Sequence, residues 1–145
     1  MTKKFEQISR ISGFMKHNGG LFFKEKSKSE FIFKTTITKK HLNKRKITHG
    51  GYICSIIDAG AGTGAFRATG GQSCVTVSLE IKFIGMTKLK DEIIGKVKIL
   101  KKTNSTVFLI CNLFSRKKII ASASGVWRIL KKKTYYLRMY LSFID

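Results

Sequence analysis

HGGYICSIIDAGAGTGAFRATGG, residues 49–71, decides how the rest of the chain is read. It opens on His49, Gly50 and Gly51 and closes on Gly70 and Gly71. The apolar segment between them is long enough for about four helical turns. Ile53, Ile56, Ile57 and Phe66 spread round nearly every side, the mark of a helix that is buried. Gly60, Gly62 and Gly64 each weaken a helix by roughly 1 kcal/mol relative to Ala, so something must approach this one closely, such as a sheet wrapped round it or a partner helix. Asp58 is the only acidic residue between Glu30 and Glu80, and its neighbours are Ile56, Ile57, Ala59 and Ala61. An unpaired buried charge is costly, which marks Asp58 as a candidate for chemistry. The bland alternative is a carboxylate satisfied by backbone groups or by an Arg.

Working outward, Phe5, Ile8, Ile11, Phe14 and Met15 have helical spacing over residues 1–17, and Asn18-Gly19-Gly20 would stop that helix. Residues 1–30 are therefore expected to form an N-terminal helical segment. Residues 31–38 are aromatic and β-branched and read as a strand, followed by a polar connector over 39–48. After the central helix, residues 75–83 alternate Val75, Val77, Leu79, Ile81 and Phe83 with Thr76, Ser78, Glu80 and Lys82. Strand patterns recur over 93–99, 107–114 and 121–129, with breaks of hairpin length at 102–105 and 115–118. One strand, one buried helix and four strands in a meander predict an α+β domain over 31–130, an antiparallel β-sheet around a central α-helix. Residues 131–145 form a basic and aromatic C-terminal tail: a docked helix, a membrane-surface segment or an extension without a role.

A chain of 145 residues with 43% hydrophobic content suits one folded domain. Its 29 Lys and Arg against 8 Asp and Glu give a net charge of +21, a field that favours polyanions such as nucleic acid, anionic lipid or phosphate-bearing molecules. The lysines are scattered, so the plain reading is a solvated basic surface. No nucleic acid is expected as partner, because strands 75–83 and 93–99 do not interleave exposed aromatics with Lys and Arg on one face. Cys54, Cys74 and Cys111 are odd in number and far apart, without metal-ligand spacing. They read as free thiols, as small core residues before nucleophiles. Gly60-x-Gly62-x-Gly64 lacks the spacing of a dinucleotide fingerprint and does not follow a strand, and no cofactor is expected. The N-terminus lacks an uninterrupted apolar signal region and no run reaches the ~18 apolar residues of a membrane span, so a cytoplasmic protein is expected.

The element order, with His49-Gly50-Gly51 at the helix start and Asp58 nine positions after the histidine, resembles the hotdog-fold acyl-CoA thioesterases of the PaaI-like and thioesterase superfamily member 2 group. Cys74-Val75-Thr76-Val77-Ser78-Leu79 and Ala121-Ser122-Ala123-Ser124-Gly125-Val126-Trp127 add to the likeness, which covers roughly residues 31–130. The resemblance implies that Asp58 is the catalytic carboxylate, general base on water or nucleophile at the thioester carbon. It implies that Gly50 offers its N–H to the thioester oxygen, that Asn43 positions the substrate carbonyl or the lytic water, and that Thr76 assists. His49 would orient, and with Gly51 line the substrate. It further implies an acyl-CoA substrate and a homodimer, or a homotetramer of paired dimers, with Asp58 of one copy facing Gly50 and Asn43 of the other.

Elementary chemistry agrees with these roles. Thioester hydrolysis builds negative charge on the carbonyl oxygen, and unpaired N–H groups at a helix start stabilise such charge. Two glycines leave those amides uncovered. Apolar neighbours strip water from the carboxylate and make it a better base. The chain departs from the family's pattern at Lys46, where glycine is frequent, and at Met86 and Lys90, which stand for the usual proline and glycine. The alternatives are a hotdog-fold hydratase or dehydratase, a non-catalytic acyl-binding protein, and a basic nucleic-acid or lipid-binding protein. The hydratase chemistry commonly sits in a proline-rich motif, and this chain has no proline.

Overall fold

A computed structural model describes residues 3–131. Its elements are β1 (Glu6–Ile8), α1 (Phe14–His17), β2 (Leu21–Glu25), β3 (Glu30–Thr36), α2 (Gly50–Ala68), β4 (Cys74–Phe83), β5 (Glu92–Lys102), β6 (Thr106–Ser115) and β7 (Lys118–Ile129). A single 3-10 turn, Lys39–His41, sits between β3 and α2. All seven strands form one sheet in the order β1-β2-β3-β5-β6-β7-β4, every pair antiparallel. The basic and aromatic tail expected over 131–145 lies outside the described residues apart from Lys131.

Helix α2 lies on the inner face of the curled sheet because that face is apolar throughout. Phe31, Phe33, Ile93, Val97, Leu109, Cys111, Leu113, Ala123 and Trp127 meet Tyr52, Ile53, Ile56, Ile57, Ala61 and Ala65 in one core. The helical glycines have a specific cause. A Cβ on Gly60 would lie 2.2 Å from the Phe33 ring, and a Cβ on Gly95 of β5 would lie 2.1 Å from the same ring. Phe33 thus fills the space that two absent side chains leave. A Cβ on Gly64 would crowd Val97 and Phe31 at 3.1 and 3.2 Å. Gly62 differs, since a Cβ there meets only the Trp127 indole nitrogen at 3.4 Å.

Two expectations are corrected. The N-terminal helix over 1–17 is replaced by strand β1 and one turn of helix, α1. The helical stripe is split: Ile8 and Met15 pack against the core, whereas Ile11 is 85% exposed and Phe14 67% exposed. Its neighbour β2, unforeseen, buries Leu21 and Phe23 and pairs with both β1 and β3. The four strands after α2 are not one meander. β5, β6 and β7 follow each other through hairpins, whereas β4 pairs only with β7 at the far edge. The place beside β5 is already filled by β3, in register from Glu30↔Lys98 to Thr36↔Glu92, so residues 84–91 carry the chain back across the sheet's end.

The paired glycines generate a stability test. Gly60→Ala forces a methyl into the Phe33 ring and should cost about 1–3 kcal/mol. Gly62→Ala meets ordinary contact distances and should be neutral or stabilise by up to about 1 kcal/mol. Denaturant unfolding of the two variants reads the difference, and equal effects would contradict this account of Gly60.

Candidate active site

The start of α2 is held from three sides. His49 is its N-cap: the Nδ1 accepts the Gly51 N–H at 2.9 Å, while the His49 carbonyl accepts the N–H groups of Tyr52 and Ile53 at 3.0 and 3.2 Å. The imidazole sits 3.0 Å from where a Gly51 Cβ would be, so a side chain there would press on the cap. The His49 N–H donates to the carbonyl of His41 at 2.8 Å. His41 is buried and stacked on Tyr52 with ring centroids 3.7 Å apart, and its Nε2 lies 2.9 Å from the Asn18 carbonyl. Burial pushes the His41 imidazole below its ordinary pKa and the Tyr52 phenol above its own. Thr48 ties the other side, its N–H donating to the Thr87 carbonyl at 2.9 Å and its hydroxyl meeting that of Thr87 at 2.7 Å.

Of the first-turn amides this leaves one uncommitted. The Gly50 N–H has no acceptor among the described residues, whereas those of Gly51, Tyr52 and Ile53 do. Phe83, at the end of β4, is the neighbour of that amide: a Gly50 Cβ would lie 3.5 Å from its ring. The lone free N–H at the positive end of a 19-residue helix is suited to an anionic oxygen. Asn43 sits six residues before the histidine in a tight turn that its own side chain builds. Its carboxamide oxygen accepts the Arg45 N–H at 2.9 Å and its carbonyl the Lys46 N–H, also at 2.9 Å. The oxygen is therefore engaged in the loop, and the carboxamide's NH2 is the end that can donate.

Asp58 lies on the flank of α2 that faces β4, and it is exposed in the single chain, not enclosed as its apolar neighbours in sequence suggest. The reason is periodicity: successive helix residues turn by about 100°, so Ile56, Ile57, Gly60 and Ala61 face the middle of the sheet while Asp58 turns to its β4 edge. The Thr76 hydroxyl donates to Asp58 Oδ1 at 2.6 Å. Strict alternation along 75–83 would put Thr76 and Leu79 on opposite faces. A bulge between Thr76 and Ser78 removes that conflict, because Thr76 pairs with Trp127 and Leu79 with Gly125, both inward-facing positions. The extra residue, Val77, is 63% exposed. Among the described residues Asp58 forms no ion pair, although the chain holds 29 Lys and Arg. It keeps an unneutralised carboxylate oriented by one hydroxyl.

Asp58 and Thr76 are thus together, as are Gly50, His49 and Gly51, with Asn43 in the turn leading to them. The two groups are not adjacent within one chain: eight residues of helix separate Gly50 from Asp58, about 12 Å along the axis. The cysteines stand apart from this chemistry. Cys111 is buried in the core, which pushes its thiol up to about 12, and burial raises Cys74 as well. Phe83 was missed as a site residue; its signal was only that an aromatic ends β4 where the chain must turn. The Thr48–Thr87 and His41–Tyr52 contacts left no sequence signal, because each joins residues that only the fold brings together.

Comparison with known proteins adds to this geometry. The family model described as the thioesterase superfamily matches residues 46–121, a span that holds the helix, its cap and both Asp58 and Thr76. A Pseudomonas aeruginosa protein named as an esterase is 28% identical over 126 residues, covering 86% of this chain and 94% of its own length. Zebra fish thioesterase superfamily member 2 superposes with a TM-score of 0.77 at 17% identity, covering 84% of this chain and 90% of that one. A Streptococcus mutans protein whose structure was solved bound to acetyl CoA gives a TM-score of 0.75 at 21% identity, over 89% of this chain and 100% of that one. The seven-stranded antiparallel sheet round one long helix is the hotdog fold, and the chain belongs to the thioesterase superfamily as a thioester hydrolase.

Proposed function

We propose that the protein hydrolyses acyl-CoA thioesters at a site shared by two copies of the chain, with Asp58 of one copy acting on an ester whose oxygen is held by Gly50 of the other. The observation that carries this reading is the separation within one chain. A carbonyl oxygen and the carbon it belongs to are about 1.2 Å apart, whereas the free Gly50 amide and the Asp58 carboxylate are about 12 Å apart along α2. One chain cannot apply both to a single ester. Two helices running in opposite directions across a seam can, each bringing its start to the middle of the other. The edge strand β4, with Val75 45% and Val77 63% exposed, offers the surface for such a seam. Acetyl CoA in the Streptococcus mutans relative supports CoA as the carrier.

In this reading Asp58 either takes a proton from the attacking water or adds to the thioester carbon itself, and both routes pass through an oxyanion. The Gly50 N–H and the helix dipole meet that oxyanion without reorganising, and removing such a donor typically costs 10²–10³-fold in kcat. The NH2 of Asn43 donates beside it, to the carbonyl or to the water. Thr76 holds one oxygen of Asp58 at 2.6 Å, leaving the other to act. His49 fixes the helix start by accepting the Gly51 N–H on its ring nitrogen. By the base route Asp58 returns the water's proton to the departing sulfur; by the nucleophile route CoA leaves as thiolate from an acyl–Asp58 anhydride, which a water then cleaves to free acid, its proton going to the thiolate.

Two measurements test the reading. Asp58→Asn should abolish release of free CoA thiol while the protein stays folded, and Thr76→Val should lower kcat by about 10–100-fold with KM little changed; turnover that survives Asp58→Asn would refute the role of this carboxylate. A charge placed in the seam, Val77→Lys, should yield a folded monomer in sedimentation with no turnover. A monomer that retains turnover would show that one copy holds a complete site.

A further inference from the structure

Residues 75–83 and 93–99 do not alternate aromatics with cations, but the sheet assembles that pattern across strands, on the face turned away from α2. Along β2, β3, β5 and β6 the residues between the core positions Phe23, Phe33, Val97 and Leu109 and their buried neighbours form cross-strand rows on this outer face. One row reads Phe22, Lys34, Ile94, Phe114, and the next reads Lys24, Ile32, Lys96, Asn112. Further along, Glu30 pairs with Lys98, and beyond the bulge Lys101 stands opposite Phe108. Each strand supplies only one or two members, so no single stretch of sequence displays the pattern.

Rings and ammonium groups also meet in space. The Lys96 Nζ lies 4.9 Å from the centre of the Phe114 ring, and those of Lys34 and Lys24 lie 4.8 and 5.7 Å from that of Phe5. Phe22 is 46% exposed and Phe108 39% exposed. Phe22 and Phe114 are three strand steps apart, roughly 14 Å, and Phe108 lies six residues from Phe114 along β6, roughly 20 Å. Two hollows open beside them. One of about 570 Å3 has Phe5 and Phe22 on its walls with Lys34 and Thr36, and one of about 210 Å3 lies between Lys26, Ile32, Lys96, Lys98 and Asn112. The Ser122 hydroxyl donates to Asn112 Oδ1 at 2.7 Å, so the carboxamide NH2 is the group left to donate. Against Lys24, Lys26, Lys34, Lys96, Lys98 and Lys101 these four strands set only Glu30 and Glu92, the latter 3.7 Å from Lys34.

We propose that this face binds a single-stranded nucleic acid, its bases on Phe22 and Phe108 and in the two hollows, its phosphates on the lysines between them. Charge complementarity names a polyanion, and rings spaced along the surface name unpaired bases, which a lipid surface lacks and a duplex keeps stacked inside. The face lies behind the sheet from α2, and β4 is at the other edge, so the proposal stands independently of the thioesterase reading.

Fluorescence anisotropy with labelled RNA and DNA oligonucleotides of about 12 nucleotides, as single strands and as duplexes, tests it. The native protein should bind single strands of at least one polymer more tightly than the matching duplex. Phe22→Ala with Phe108→Ala should weaken that binding about 10–100-fold. Lys24→Gln, Lys96→Gln and Lys98→Gln together should make the slope of log affinity against log salt shallower by about 2. Should the ring variant unfold, as read by circular dichroism, the lysine variant decides alone. No binding of the native protein to either single strand overturns the proposal, as does duplex binding of equal strength. So does an equal loss when Lys44, Arg45 and Lys88 are changed to Gln instead, which would assign the binding to net charge. Binding to vesicles of anionic lipid in place of oligonucleotides would give the face to a membrane. A native protein that binds no oligonucleotide, with a ring variant that loses oligomers in sedimentation, would give it to a second copy; either result overturns the proposal.

Discussion

The Phe33 ring, seated where Gly60 and Gly95 lack side chains, sets the distance between helix and sheet. A Cβ on either glycine would overlap the ring, so α2 can lie this close only with hydrogen at both positions. The constraint reaches the chemistry through helix geometry. Residues two apart on a helix point about 200° apart, so seating Gly60 against Phe33 turns Asp58 to the opposite flank. There β4, led past by its pairing with β7, brings Thr76 within hydrogen-bond reach. A helix standing further off the sheet would lose that contact before it lost its core.

The central helix, its buried identity and the strands β3 and β5–β7 were legible because each rests on local signals: apolar period, length and hairpin-sized breaks. The close approach was legible too, since three glycines in one helix are costly unless something needs the room. What failed was non-local. The stripe Phe5–Met15 has helical spacing, yet strand pairing with Phe22 and Phe23 competes for the same residues and wins at Glu6–Ile8. The place of β4 depends on β3 occupying the edge beside β5, a fact about the whole sheet. Thr76 could not be assigned to a face because the bulge at Val77 has no composition of its own. Asp58 read as enclosed because sequence neighbours are apolar, although helix neighbours in space are those three and four positions away.

The carboxylates of the chain differ in how they are held. Asp58 has no cationic partner among the described residues, so its charge is not spent in an ion pair. Asp91 is the reverse case. The Lys88 N–H, with Arg116 beside it, holds its carboxyl below the usual carboxylate range and fixes the turn 84–91 as scaffold. Among the described acids Asp58 and Glu30 form no ion pair, and for Asp58 the cause is its position, since the flank of α2 next to β4 carries Gly51, Ser55, Gly62 and Phe66 and no cation.

The two edges of the sheet are unlike, and the difference argues for where a second copy would sit. β1 is three residues long and is bound back to the helix by the Arg67–Glu6 pair, a short and occupied edge of the kind that blocks further pairing. β4 is ten residues long and exposed along most of its length. An open edge of that size is a liability in a monomer and a template in a pair. If one edge is closed and one open, association ends after a single two-fold step instead of growing into a filament. That step would cover the flank carrying Asp58, removing water from a carboxylate that the lone chain leaves exposed, and would bring beside it the helix start that its own chain holds about 12 Å away. On the proposed reading, closure of the sheet and completion of the site would be one event, since Gly50 and Asp58 lie about 12 Å apart along their own helix.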